Sequence, residues 1–189
     1  GSEMCIRDRL YGEADPAGRL PFTWPKKLED SPSHRLATQD LDTVNYEEEL
    51  MVGYRYFDTQ EVEPQFPFGY GLSYTTFRYG RLRVSEKNGK VRGRIEIRNT
   101  GDRDGSQTVQ IYVRPERPSA TRPVHELKAF EKLFLRAGER RTVEFTLPAR
   151  AFSYYSETEG RWVEDPGPYT IEAAASSRDI RSTAQIDIK

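Results

Sequence analysis

Val91-Arg92-Gly93-Arg94-Ile95-Glu96-Ile97-Arg98-Asn99-Thr100-Gly101, followed by Val109-Gln110-Ile111-Tyr112-Val113, is the stretch that decides the fold. Val91, Ile95 and Ile97 share one parity, with charged residues on the other. Val109, Ile111 and Val113 repeat the pattern after an Asn-Thr-Gly-Asp turn. Period-two alternation is the signature of strands buried on one face. Working backward, Phe77, Tyr79, Leu82 and Val84 predict a first strand. Working forward, Pro115 ends one strand and residues 127–135 predict another that is more uniformly apolar. Ala137-Gly138-Glu139 then turns into Val143, Phe145 and Leu147, and short pieces at 152–155 and 162–163 flank a Glu159-Gly160 turn. Pro166-Gly167-Pro168 opens Tyr169, Ile171 and Ala173, and residues 180–188 close the chain. About seven short strands with turn signals roughly every 8–12 residues indicate an all-β sandwich.

Composition agrees. The 189 residues are 35% apolar and 12% aromatic, with 11 Tyr and 9 Phe, enough for a sheet core built on rings. Charged residues make up 31% and nearly balance, giving a net charge of −1. Whole-chain balance argues against a general nucleic-acid or anionic-membrane surface. No apolar run approaches the roughly 20 residues that span a bilayer, and no signal-peptide core is visible. One cysteine, Cys5, allows no internal disulfide, and His34 and His125 lie too far apart in sequence to suggest a zinc site.

Upstream of the alternation the chain changes character. Residues 1–9 show no period and read as a non-native leader similar to translated sequencing-adapter read-through, the alternative being an ordinary disordered N-terminus. Leu10 and Tyr11 could end a strand. Asp15-Pro16-Ala17-Gly18 predicts a turn, and residues 20–25 a short extended piece. Residues 26–43 read as a surface loop, and residues 46–52 as one helical turn. Residues 63–77, E-P-Q-F-P-F-G-Y-G-L-S-Y-T-T-F, carry too much Pro and Gly for a helix. They read as a linker whose rings pack on a neighbouring domain.

These blocks, in order, resemble the C-terminal region of glycoside hydrolase family 3. They are Asp15-Pro16-Ala17-Gly18-Arg19-Leu20-Pro21-Phe22-Thr23, Val52-Gly53-Tyr54-Arg55-Tyr56-Phe57-Asp58 and Phe66-Pro67-Phe68-Gly69-Tyr70-Gly71-Leu72-Ser73-Tyr74. Asn99-Thr100-Gly101, Gln110-Ile111-Tyr112-Val113, Glu126-Leu127-Lys128-Ala129-Phe130, Pro166-Gly167-Pro168-Tyr169 and Ser176-Ser177-Arg178-Asp179 continue it, so the resemblance covers residues 10–189. It implies a fibronectin type III-like (immunoglobulin-like) β-sandwich at 77–189, an extended aromatic-rich interdomain connector at 26–76, and the end of an α/β sandwich domain at 10–25. The implied partners are the N-terminal barrel and α/β sandwich domains of the same polypeptide and, through that parent, a β-linked oligosaccharide. Localisation stays open among periplasmic, secreted and cytoplasmic.

The family's retaining mechanism needs two carboxylates about 5–5.5 Å apart. Neither catalytic motif occurs in this sequence, so no catalytic, metal or cofactor residue is assigned and the chain alone is expected to be inactive. Glu47, Glu48 and Glu49 read as a solvated face, Asp102-Arg103-Asp104-Gly105 as a tight turn rather than a calcium loop, and His125 as a loop or strand-edge residue. The residues singled out as interdomain or glycan contacts are Trp24, Tyr54, Arg55, Tyr56, Phe66, Phe68, Tyr70 and Tyr74. Trp162 is read as core or rim of the sandwich, the alternative being a glycan contact. Two readings follow: a structural sandwich from a retaining β-glycosidase, or a stand-alone carbohydrate-binding or scaffolding module.

Overall fold

The computed structural model describes residues 2–34 and 46–189. Two sheets face each other, as the alternation predicts. In the first, β3 (Lys90–Asn99) is central and β6 (Arg140–Pro148) pairs along one edge, from Lys90 opposite Pro148 to Arg98 opposite Arg140. The other edge of β3 is shared by β1 (Phe77–Tyr79) and β2 (Arg83–Lys87), so the single first strand expected here is two. Gly80 marks the break, though its N–H still reaches the Glu96 carbonyl at 2.8 Å. The second sheet runs β10 (Asp179–Ile188), β9 (Gly167–Ser176), β4 (Gly105–Pro115), β5 (Glu126–Leu135), all antiparallel. β7 (Ser153–Ser156) and β8 (Arg161–Glu164) form a separate hairpin.

The inward parities meet in one core: Val91, Ile95 and Ile97 from β3, Val143 and Leu147 from β6, and Val109, Ile111 and Val113 from β4. Ile171, Ala173, Leu133, Leu135 and Phe152 complete it. Tyr169, at the start of β9, donates its hydroxyl to the Asp165 carbonyl at 2.6 Å, with the Phe152 carbonyl 3.0 Å away. This tyrosine corner staples the β6–β9 crossover to the sheet, as in immunoglobulin-like sandwiches. Asn99, fully buried, ends β3 with all four hydrogen-bonding positions used. Its amide donates to the Arg103 and Leu135 carbonyls, and its oxygen accepts from Thr75 Oγ1 and the Gly101 N–H.

Several local expectations are corrected. β5 alternates after all: Leu133 and Leu135 point inward, while Phe130 and Phe134 stand 70% and 55% exposed on the edge strand. Leu10 ends a helix, α1 (Ser2–Leu10), not a strand. Among the described side chains of that helix, the apolar Ile6 and Leu10 are both exposed. No turn forms at residues 15–18; the Asp15 carboxylate instead accepts from Ser73 Oγ, the Tyr74 N–H and the Ser106 N–H at 2.7–3.2 Å. The piece expected to be extended at 20–25 bends at 21–22 but is tied to 66–70 on both sides of the bend, with Leu20 N–H to the Tyr70 carbonyl and Trp24 N–H to the Phe66 carbonyl, both 2.8 Å. Of the surface loop expected at 26–43, residues 26–34 hold two short 3-10 stretches, at 28–30 and 32–34, and 35–43 lie outside the described residues. Residues 46–52 hold only turns. The helix comes just after them as α2 (Tyr54–Thr59), entered through Gly53 at φ 55°.

Candidate functional site

The outer face of the second sheet, β10-β9-β4-β5, is covered. Alternation alone would leave Gln110, Tyr112, Glu172 and Ala174 in water, yet all four are buried. What covers them is the chain's own segment 54–70, a strap consisting of α2 and the Pro-Gly-aromatic run. Of the rings in this segment, Tyr54 meets Tyr112 of this chain's own sheet and carries Phe68 stacked on it.

Tyr54 is the anchor. Its ring stacks on Phe68 at 5.0 Å and meets Tyr112 edge-on at 5.8 Å. Its hydroxyl accepts the Leu127 N–H at 2.9 Å, where a bulge in the β4–β5 ladder frees that donor. Burial raises the pKa of both Tyr54 and Tyr112. Gln110 ties the strap from below. Its Nε2 donates to the Ala175 carbonyl at 2.8 Å and the Gly69 carbonyl at 3.3 Å, and its Oε1 accepts from the Tyr112 hydroxyl at 2.7 Å. Gly69 sits at φ +80°, and a Cβ there would lie 2.3 Å from Gln110 Oε1. The Ser177 N–H closes the seam on the Phe68 carbonyl at 2.9 Å.

Charge reinforces the ring contacts. The His125 ring stacks on Tyr112 at 4.6 Å and lies between two carboxylates, Nδ1 2.7 Å from Glu172 Oε2 and Nε2 3.0 Å from Asp58 Oδ2. Burial alone would lower the imidazole pKa, but the hydrogen bonds and charges of Asp58 and Glu172 outweigh it and raise the value. Arg178 binds the other oxygen of Asp58 and donates to the Phe57 and Val62 carbonyls at 2.7 and 3.0 Å. Arg55 reaches Glu126 at 3.3 Å, and Arg122 and Lys128 share that carboxylate at 3.0 and 3.3 Å. Burial would raise the Glu126 pKa, but Lys128, Arg122 and Arg55 hold it below the usual carboxylate value.

The remaining candidates do not converge on one place. Phe66 and Tyr70 pair with each other at 5.0 Å, and Tyr56 meets Phe57 edge-on at 5.5 Å. Trp24 bridges to Phe66 but stays 50% exposed beside Phe22. Tyr74 lies apart, its hydroxyl on the Arg9 carbonyl and the Arg103 guanidinium 6.0 Å from its ring. Trp162 is on the rim, with Arg150 4.3 Å over its ring. The Asp58–His125–Glu172 cluster was not read from the sequence. Its signal was the loss of alternation in Ile171-Glu172-Ala173-Ala174, which marks a strand buried on both faces.

Chemically the cluster is a clamp. Both His125 nitrogens are engaged, and each buried carboxylate of the strap contact is paired with His, Arg or Lys. Among the described residues no group of three or more His, Cys, Asp or Glu is arranged to hold a metal ion.

A sandwich of this topology with a strap sealed across its second sheet is a fibronectin type III-like unit fused to a preceding segment. Residues 107–177 match the family model of the fibronectin type III-like domain, and residues 2–74 that of the glycosyl hydrolase family 3 C-terminal domain. Thermostable beta-glucosidase B of Acetivibrio thermocellus is 44% identical over 93% of this chain and 24% of its own length. Exo-alpha-(1->6)-L-arabinopyranosidase of Bifidobacterium breve is 40% identical over 98% of this chain and 25% of its own. The crystal structure of the family 3 β-glucosidase of Bifidobacterium adolescentis superposes with a TM-score of 0.93 at 39% identity, covering 97% of this chain and 27% of that one. The chain belongs to glycoside hydrolase family 3, as its C-terminal region. It spans about a quarter of the length of the relatives it matches.

Proposed function

We propose that the chain is the structural C-terminal part of a retaining β-glycosidase of the β-glucosidase type, acting on terminal β-linked sugars, and that it contributes no catalytic carboxylate itself. The observation that carries this reading is the state of the buried acids at the strap: Asp58, Glu126 and Glu172 are each neutralised by a cation or imidazole. A general acid or nucleophile has to face substrate. Relatives named for different sugars share this tail, which fits a part that supports the catalytic site without selecting the sugar.

In this reading residues 10–25 and 26–76 link the sandwich at 77–189 to the barrel and α/β sandwich domains. Exposed Trp24, Phe22 and Tyr74 supply apolar surface for that docking. The purified chain is expected to show no turnover of an aryl β-glucoside; hydrolysis that follows the chain through purification would overturn the reading. The alternative, a carbohydrate-binding module, is favoured by one observation, the half-exposed Trp162 ring. Calorimetry against soluble β-glucan decides it: saturable heat lost in Trp162→Ala selects glycan binding, and no heat leaves the structural role.

A further inference from the structure

Opposite the strap lies the solvent face of the first sheet, and its charge is far from the balance of the whole chain. Register sets outward side chains in rows across three strands. Arg78, Arg98 and Arg140 form one row. Arg83 and Arg94 stand beside Glu144 in another. Arg92 lies between Ser85 and Thr146, and Lys87 faces Lys90 at the hairpin end. All of these cations are exposed. The face carries eight of them against two carboxylates, Glu96 and Glu144. Among the described residues none of the six guanidiniums has an ion pair or side-chain hydrogen bond. Like charges directly opposite across strands are destabilising, so the rows weaken the sheet that carries them.

The centre of this face holds a shallow hollow of about 610 Å³ bordered by Arg83, Arg92, Arg94, Ser85, Thr146 and Glu144. It is also turned away from the rest of the chain. Among the described residues, each hydrogen bond from residues 12–71 to the sandwich falls on β4, β5, β9 or the loops beside them. Within the described residues, segment 12–71 makes its hydrogen bonds on the strap side and none to this face.

We propose that this face binds an acidic polysaccharide, with guanidinium forks gripping carboxylate or sulfate groups along the glycan. Arginine suits this task because its planar fork meets such anions bidentately. Strand spacing of about 4.8 Å and roughly 6.6 Å between alternate residues sets the guanidiniums out as a grid that a linear polyanion can follow. The groups between them fit sugar hydroxyls: Ser85, Thr142 and Thr146 donate or accept, and Glu96 and Glu144 accept. Those two carboxylates oppose a nucleic-acid backbone, which brings dense phosphate charge and few donors. No large exposed aromatic lies on the face, so it lacks the stacking platform that single strands use.

The test uses the 189-residue chain at low ionic strength, with polygalacturonate and dextran sulfate as acidic probes, neutral β-glucan as control and duplex DNA as competitor. Binding to at least one acidic probe is expected, with the responding probe identifying the anion as carboxylate or sulfate. Arg83→Gln/Arg92→Gln/Arg94→Gln should weaken it about tenfold or more, equivalent to about 1.4 kcal/mol. The matching triple Lys variant should weaken it less. Circular dichroism of the variants confirms the fold, since all three positions are exposed. No binding to either acidic probe, binding unchanged in the Gln variant, equally tight β-glucan binding, or displacement by DNA at equal charge would each overturn the proposal. The readout involves no hydrolysis, so failure here leaves the glycosidase reading standing.

Discussion

Substituting Gly69 by alanine should cost this chain far more than a surface turn glycine does. Gly69 sits at φ +80°, where a side chain is strained by about 1–2 kcal/mol. The new Cβ would also lie 2.3 and 2.4 Å from the amide oxygen and nitrogen of Gln110. That amide must move, giving up its contacts with the Ala175 carbonyl, the Gly69 carbonyl and the Tyr112 hydroxyl. At about 1 kcal/mol for each lost hydrogen bond, the total comes to about 4 kcal/mol, large against a typical stability of about 5–15. Gly160→Ala is the control: φ is +62° but nothing lies within 4 Å of the added carbon, so only the conformational cost of about 1–2 kcal/mol remains. With a urea slope of about 2 kcal/mol per molar, Gly69→Ala should shift the midpoint by about 2 M and Gly160→Ala by less than about 1 M. Adding Gln110→Ala to Gly69→Ala should then recover part of the loss, a coupling that a double-mutant cycle reads directly. Equal shifts for the two glycine variants would refute the claim that Gln110 holds the strap.

Two further outcomes follow from the buried polar groups. The raised folded pKa of His125 means its stabilisation is fully present below the unfolded value of 6.5 and is lost as pH rises through the folded value. Asp58, Glu172, Arg178 and Arg114 surround the group, so the comparison to make is wild type minus His125→Gln in urea unfolding across pH. That difference should shrink as pH rises; growth toward alkaline pH would show that the imidazolium is not the stabilising form. Tyr169→Phe removes the hydroxyl that satisfies the Asp165 carbonyl in the buried corner. It should cost about 2 kcal/mol, or about 4–8 °C in a thermal melt of a chain this size, and an unchanged melt would rule out an energetic role for the corner.

The sandwich was legible because each strand of the core solves a local problem. One parity of Val91, Ile95 and Ile97 must leave water, and the period shows it without reference to any partner. The strap was legible only as aromatic density, since what its rings touch depends on residues far away in sequence. His125 meets Glu172 and Asp58 across 47 and 67 positions, a spacing no motif encodes. Helix α2 is six residues long and starts from a positive-φ glycine, too short for a period to emerge. The arginine rows were hidden for a related reason. Each arginine looks like an ordinary outward residue of its strand, and net charge averages the face away. Only the pairing of β1, β3 and β6 brings Arg78, Arg98 and Arg140 into line.

Because segment 54–70 seals Tyr112, Gln110 and Glu172, the modular joint of this protein does not lie where its first sandwich strand begins. A recombination event or a protein engineer cutting at residue 77 would transplant a sheet with one face flayed open, baring a tyrosine, an imidazole and two carboxylate positions fitted to a cover left behind. The unit that travels intact starts upstream of Gly53, so strap and sheet must be inherited together, and a change on either side of the seam is accepted only when the other side tolerates it.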